Sequence, residues 1–121
     1  MTQETNYVMN VGDTSCVWEV GFITSAQGVL PIVLANLDGN FFCRLEVRDS
    51  KGNVTNVAKD ITTKTGDNKR FTAWLTPAET TALGEGDWIV GIELRNATLV
   101  PPLIKELHKR VCLQKQVVVT P

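Results

Sequence analysis

An all-β sandwich of about seven or eight short antiparallel strands, with one short helical crossover, is the fold this sequence predicts. Three observations predict it. Apolar and polar residues alternate with period two in several stretches, turn residues recur about every ten positions, and Phe71 to Leu94 runs strand, turn, strand without a break. In that stretch Phe71, Ala73 and Leu75 alternate with Thr72, Trp74 and Thr76, as in a half-buried strand. Pro77 stops it. Thr76 as N-cap, Pro77 at the first helical position and Glu79 at the third predict about one or two helical turns, closed by Gly84 and Gly86. From Asp87 the period returns to two, with Trp88, Val90, Ile92 and Leu94 on one face and Ile89, Gly91, Glu93 and Arg95 on the other. A capped connection of this kind carries the chain from one sheet to the other.

The remaining elements follow in order. Residues up to Asn10 are polar with Tyr7 and Met9 interspersed, an arm (about 1–11) or a short first strand, and Gly12-Asp13 makes a turn. Cys16, Trp18, Val20 and Phe22 then alternate with Val17, Glu19, Gly21 and Ile23, a strand with one strongly apolar face. Leu30 to Leu34 reads as a short edge strand broken by Pro31. Phe41, Cys43, Leu45 and Val47 face inward and Phe42, Arg44, Glu46 and Arg48 outward, ending at the hairpin turn Asp49-Ser50-Lys51-Gly52. A weaker strand, Asn53 to Ile61, and a polar loop, Thr62 to Asn68, lead into the central stretch. After it, residues 103–111 are open to a short helix or an extended segment. Pro102 and the spacing of Leu103, Leu107 and Val111 favour a helical turn. Val117, Val118 and Val119 suit a final strand.

The chain's 121 residues, 43% of them hydrophobic, fit one β-sandwich domain spanning 1–121 that buries roughly two thirds of its unfolded surface. A net charge of -1, with both signs interspersed, gives no footprint for nucleic acid or an anionic membrane. No apolar run is long enough to span a bilayer, and MTQETNYVMN lacks a basic segment followed by an apolar one, so the chain is expected to be made and kept in the cytosol unless another route exports it. Cys16, Cys43 and Cys112 are odd in number and widely spaced, and are expected as small core hydrophobes rather than disulfide or zinc ligands. Asn53-Val-Thr55 and Asn96-Ala-Thr98 match the glycosylation pattern and are read as chance matches.

Candidate chemistry is sparse. The single histidine, His108, stands among Lys105, Glu106, Lys109 and Arg110 in a polar stretch, with no nucleophile or carboxylate placed by spacing to serve it. Asp13, Asp38, Asp49, Asp60, Asp67 and Asp87 lie at turns, where the carboxylate bonds local backbone, and no calcium loop joins them. Gly84-Glu85-Gly86 lacks the Lys-Ser or Lys-Thr pair of a phosphate loop. These features predict no catalytic residue, no cofactor and no metal. The candidate site is therefore surface. If Phe71, Ala73 and Leu75 point inward, Trp74 points outward, and Phe42, Val17, Ile23 and Ile89 join it on outward faces. Tyr7 adds a contact in the arm. Exposed aromatics of this kind mark an interface unless a loop or the 103–111 segment covers them.

Four stretches together carry a resemblance: Gly12-Asp13-Thr14 before an alternating strand, LDGNFFCRLEVRDSKG, FTAWLTPAETTALGEGDWIVGIEL and KQVVVTP. In this order they resemble the small immunoglobulin-like domain proteins of tailed-bacteriophage virions, baseplate or fibre-anchor-like or capsid-accessory β-sandwiches. Leu83, Gly86 and Trp88 fall where that family has leucine, glycine and an aromatic residue at the corner. This chain has tryptophan where tyrosine is more frequent, and a longer last loop. The resemblance implies an immunoglobulin-like sandwich and a non-enzymatic structural part of the virion. Within it the expectation is a capsid accessory or decoration protein, present in multiple copies and bound to the major capsid protein. A tail, head-to-tail, portal-associated or fibre-attachment part is the alternative. An expectation of another class is a glycan-binding adhesion module that uses Trp74 and Phe42 as stacking platforms.

Overall fold

The computed structural model describes residues 6–24, 28, 30–31, 33–96, 98 and 103–115. Within them are seven strands and one helix: β1 (Asn6–Asn10), β2 (Trp18–Val20), β3 (Phe42–Asp49), β4 (Val54–Ile61), β5 (Phe71–Ala73), α1 (Pro77–Leu83), β6 (Gly86–Asn96) and β7 (Leu103–Gln114). The protein is all-β, with a five-stranded sheet in the order β1-β7-β6-β3-β4 and a two-stranded sheet of β2 and β5. One core joins them. Trp18, Val20, Phe71 and Ala73 of the small sheet pack with Leu45, Val47, Val90, Ile92, Leu94, Val111 and other inward residues of the large one, all at most a few per cent exposed.

The alternation read from β3 and β6 holds. Cys43, Leu45 and Val47 are buried opposite Leu94, Ile92 and Val90, and the two strands pair antiparallel along their lengths. The β3–β4 hairpin turns at Asp49. Its carboxylate accepts the backbone N–H of Lys51 and of Asn53, each at 2.9 Å, so the acid holds the loop that the sequence places there. Helix α1 carries the expected capping box. Thr76 accepts from the Glu79 N–H at 3.3 Å, and the Glu79 carboxylate accepts from the Thr76 N–H at 2.8 Å. Beyond the helix, the half-buried Trp88 donates its indole N–H to the Gly84 carbonyl at 3.1 Å, pinning the entry to β6.

Five expectations are corrected. The large sheet is mixed, because β1 runs parallel to β7, from Asn6↔Arg110 to Asn10↔Gln114. These two strands belong to opposite ends of the domain, so no hairpin imposes an antiparallel pairing on them. Residues 103–111 are strand, not helix. A spacing of four fits a strand's period as well as a helix's, and full pairing with β6, from Gly86↔Leu113 to Asn96↔Leu103, decides it. Lys105 on the inward face is accommodated because its ammonium donates to the Gly21 carbonyl at 2.9 Å and lies 5.9 Å from the Phe22 ring centre. Cys16 is exposed while Cys43 is buried, since the second strand narrows to Trp18–Val20 and Cys16 precedes it. The Leu30–Leu34 edge strand is reduced to one Ile23↔Leu34 bridge among the described residues. Trp74 is half-buried rather than fully outward. The expected strand at 116–120 lies outside the described residues.

Two side chains tie the chain's opening to the crossover. The buried Thr80 hydroxyl accepts from Gly12 N–H at 3.0 Å and donates to the Asp13 carbonyl at 2.9 Å. Gly12 itself stands at φ 91°, a left-handed value that suits glycine. Ser15 Oγ accepts from the Leu75 N–H at 2.7 Å, while the Ser15 N–H donates to the Leu75 carbonyl at 3.0 Å. Gly21 is required for another reason, since a Cβ there would stand 2.6 Å from the Lys69 carbonyl oxygen.

Candidate binding face

The large sheet's outward face is charged. Arg44, Glu46 and Arg48 project from β3, Glu93 and Arg95 from β6, and Glu106, His108 and Arg110 from β7. Gly91 forms the floor of a depression of about 410 Å³ between them. Its charges are already matched. Arg44 Nε lies 3.0 Å from Glu46 and Arg44 Nη1 3.1 Å from Asp60; Arg95 is 2.8 Å from Glu93, and His108 Nε2 is 2.7 Å from Glu106. The exposed arginine–carboxylate pairs neutralise one another, and His108 and Glu106 share a hydrogen bond. Ile89, one of the six predicted interface residues, is half-buried at the margin of this face.

The opposite side holds two of the others, Val17 and Trp74, while Phe42 lies on the large sheet's outward face, paired with Arg95. On the small sheet Trp18 pairs with Ala73 and Glu19 with Thr72, and both buried residues face the large sheet. One residue beyond the first pair come Val17 and Trp74 on the outward face, with Val17 55% exposed. The chain leaving β4 then bends onto β5. The Thr72 N–H donates to the Thr63 carbonyl at 2.9 Å, and Lys64 bridges to Phe71. A strand that leaves one sheet for the other in this way makes a corner. At this corner a hollow of about 130 Å³ runs beside Trp74, and one of about 330 Å³ runs beside Phe42; the two share Asp60, Ile61 and Thr62. Phe42, 61% exposed, and Trp74 thus bound one continuous belt along the side of the molecule.

Lys59 holds Trp74 in place. Its ammonium donates to the Trp74 carbonyl at 2.8 Å and to Glu79 at 2.8 Å, crossing from β4 to the helix cap. Burial pushes the Glu79 carboxyl up, but the bonds from Lys59 and from the Thr76 N–H outweigh it, leaving the group below the usual carboxylate range. Lys64 is likewise engaged, donating to the Leu37 carbonyl at 3.0 Å. The belt's other polar groups are not. Among the described residues the hydroxyls of Thr62, Thr63 and Thr72 and the indole N–H of Trp74 have no partner within the chain, and only one oxygen of Asp60 is used, by Arg44.

Ile23 and Tyr7 lie elsewhere. Ile23 is 57% exposed on the short ribbon it forms with Leu34. Tyr7 packs on the core and meets Trp18 edge-on, with ring centres 5.7 Å apart at 81°. Burial pushes the Cys43 thiol up to about 11, while partial desolvation raises the exposed Cys16 and, together with Asp87, raises Cys112. Among the described residues no group of three His, Cys, Asp or Glu side chains converges as metal ligands would, and no helix is long and apolar enough to cross a membrane. Compared with known proteins, the chain matches no protein-family model and no curated protein.

Proposed function

We propose that this chain is an immunoglobulin-like β-sandwich serving as a non-enzymatic structural component of a tailed-phage virion, in the first place an accessory protein that decorates and stabilises the capsid shell. The fold part of this reading is supported by topology. Two facing sheets, a crossover that passes between them, and an aromatic side chain at the start of β6 bonded to backbone four residues upstream are features of that architecture. Trp88 here takes the role that tyrosine has in the family it resembles.

The observation that carries an assembly role is how the exposed apolar side chains are distributed. Val8 on β1, Ile23, Leu30 and Val33 around the ribbon, Phe42 and Ile104 on the large sheet, and Val54 after the hairpin are each 49% to 81% exposed, on separate parts of the fold. Small apolar contacts scattered in this way suit a subunit that meets several neighbours, each over a modest area. Repetition by symmetry then supplies the binding strength that no single contact has. The partners of this reading are major capsid subunits; tail or portal components are the alternative.

The test is to mix the purified chain with phage shells lacking it, followed by sedimentation and electron microscopy. Many copies spread over the shell support decoration. A few copies at one vertex, or binding to tails alone, would move the protein to the tail assembly, and no binding to either particle would sink the virion reading.

A further inference from the structure

We propose that the belt between Phe42 and Trp74 is a binding site for a neutral oligosaccharide. This site stands apart from the virion reading, since it depends only on the belt's own chemistry. A sugar ring presents an apolar face of C–H groups and a rim of hydroxyls that both donate and accept. It is recognised by an aromatic surface beside uncommitted polar groups. The belt supplies both. Phe42 and Trp74 bound two hollows that meet at Asp60, Ile61 and Thr62, and the larger, about 330 Å³, is of a size to seat a small ligand. Three threonine hydroxyls (Thr62, Thr63 and Thr72), the Trp74 indole N–H and one oxygen of Asp60 are free to bond.

Rigidity adds to the case. Trp74 is fixed through its carbonyl by Lys59, and Thr63 and Thr72 sit on hydrogen-bonded segments of the corner, so binding would order little that is not ordered already. Charge selects a neutral ligand. The nearby cations are committed, Lys59 to Glu79 and Trp74, Lys64 to Leu37, Arg44 to Glu46 and Asp60, and Arg95 to Glu93, whereas the second oxygen of Asp60 is open and would repel an acidic glycan. Toward the centre of the large sheet's outward face the arginines and carboxylates are spent on each other and leave less to offer a sugar.

The experiment is an amide-resolved NMR titration of the intact chain with neutral glucose, xylose and N-acetylglucosamine oligosaccharides, run beside acidic polygalacturonate. Shifts confined to residues 41–43, 60–64 and 71–74 with a neutral oligosaccharide are expected. Trp74→Ala should weaken that binding about tenfold or more while Trp74→Phe retains most of it, and Thr72→Val should weaken it by about three- to tenfold. Thermal unfolding of each variant checks that the fold is kept, and Thr63→Val, at an exposed position, provides a second reading should Trp74→Ala unfold. The proposal is overturned if no neutral oligosaccharide moves these amides at millimolar concentration, if polygalacturonate alone binds, if the shifts fall elsewhere, or if folded Trp74→Ala binds as well as the parent chain.

Discussion

The two outward faces of this molecule are built from similar alternating strands, yet they differ in what they leave available. On the large sheet, arginine and glutamate side chains stand in neighbouring rows and pair within the chain, so the surface is charged and chemically satisfied. At the corner of the small sheet the side chains are threonine, tryptophan and a half-used aspartate, and the polar groups point at solvent without internal partners. A high density of charge is therefore a poor guide to a binding surface. Unspent hydrogen-bonding capacity beside an aromatic ring is a better one.

Substitutions can break or sharpen this contrast. The largest effect is expected beneath both faces. Ile92→Ala, at a fully buried position, should destabilise by about 3 kcal/mol in denaturant unfolding and weaken both faces alike. Lys59→Met acts on one side only. It strands a mostly buried carboxylate and frees the Trp74 carbonyl, and should cost about 2 kcal/mol, with amide shifts concentrated at 59–61 and 74–79.

The same pair sets an acid limit. Glu79 titrates lower in the folded chain than in the unfolded one, so its contribution is complete above the ordinary carboxylate range and is lost as pH falls through its depressed folded value. Unfolding measured from neutral pH into acid should show this loss, and Glu79→Gln should flatten it. On the charged face the effects should be small. Arg95→Ala is expected to change stability by less than about 0.5 kcal/mol, and that change should fade with added salt. Gly91→Ala should be neutral or slightly stabilising, since the added Cβ would meet its nearest neighbours at 3.7 Å or more; a large loss would mean that the trough has a use of its own.

What the sequence showed of this molecule was local. The capping box at Thr76 and Glu79, the Asp49 turn and the alternation of β3 and β6 involve residues a few positions apart, where spacing alone carries the information. What it hid was distant. Thr80 meets Gly12 across 68 positions and Lys105 meets Gly21 across 84, and no local pattern marks either pair. The helical reading of residues 103–111 failed for the same reason, because only β6, running alongside, distinguishes a spacing of four in a strand from one in a helix. Of the candidate site, Trp74, Phe42 and Val17 were visible as apolar residues at outward positions. The gathering of Trp74 and Phe42 around Asp60–Thr62 was not, since it arises where the chain turns from β4 onto β5. Nor was the edge-on contact of Tyr7 with Trp18, since no local pattern in a polar stretch marks it.

The parallel pairing of β1 with β7 also has a mechanical consequence. Tension applied between the chain's two ends draws these strands past each other along their common axis. The bonds from Asn6↔Arg110 to Asn10↔Gln114 are then loaded in shear, all together rather than one after another. Thr80 lies just behind this clamp, bound to Gly12 and Asp13, so the first slip would be resisted by the crossover helix as well.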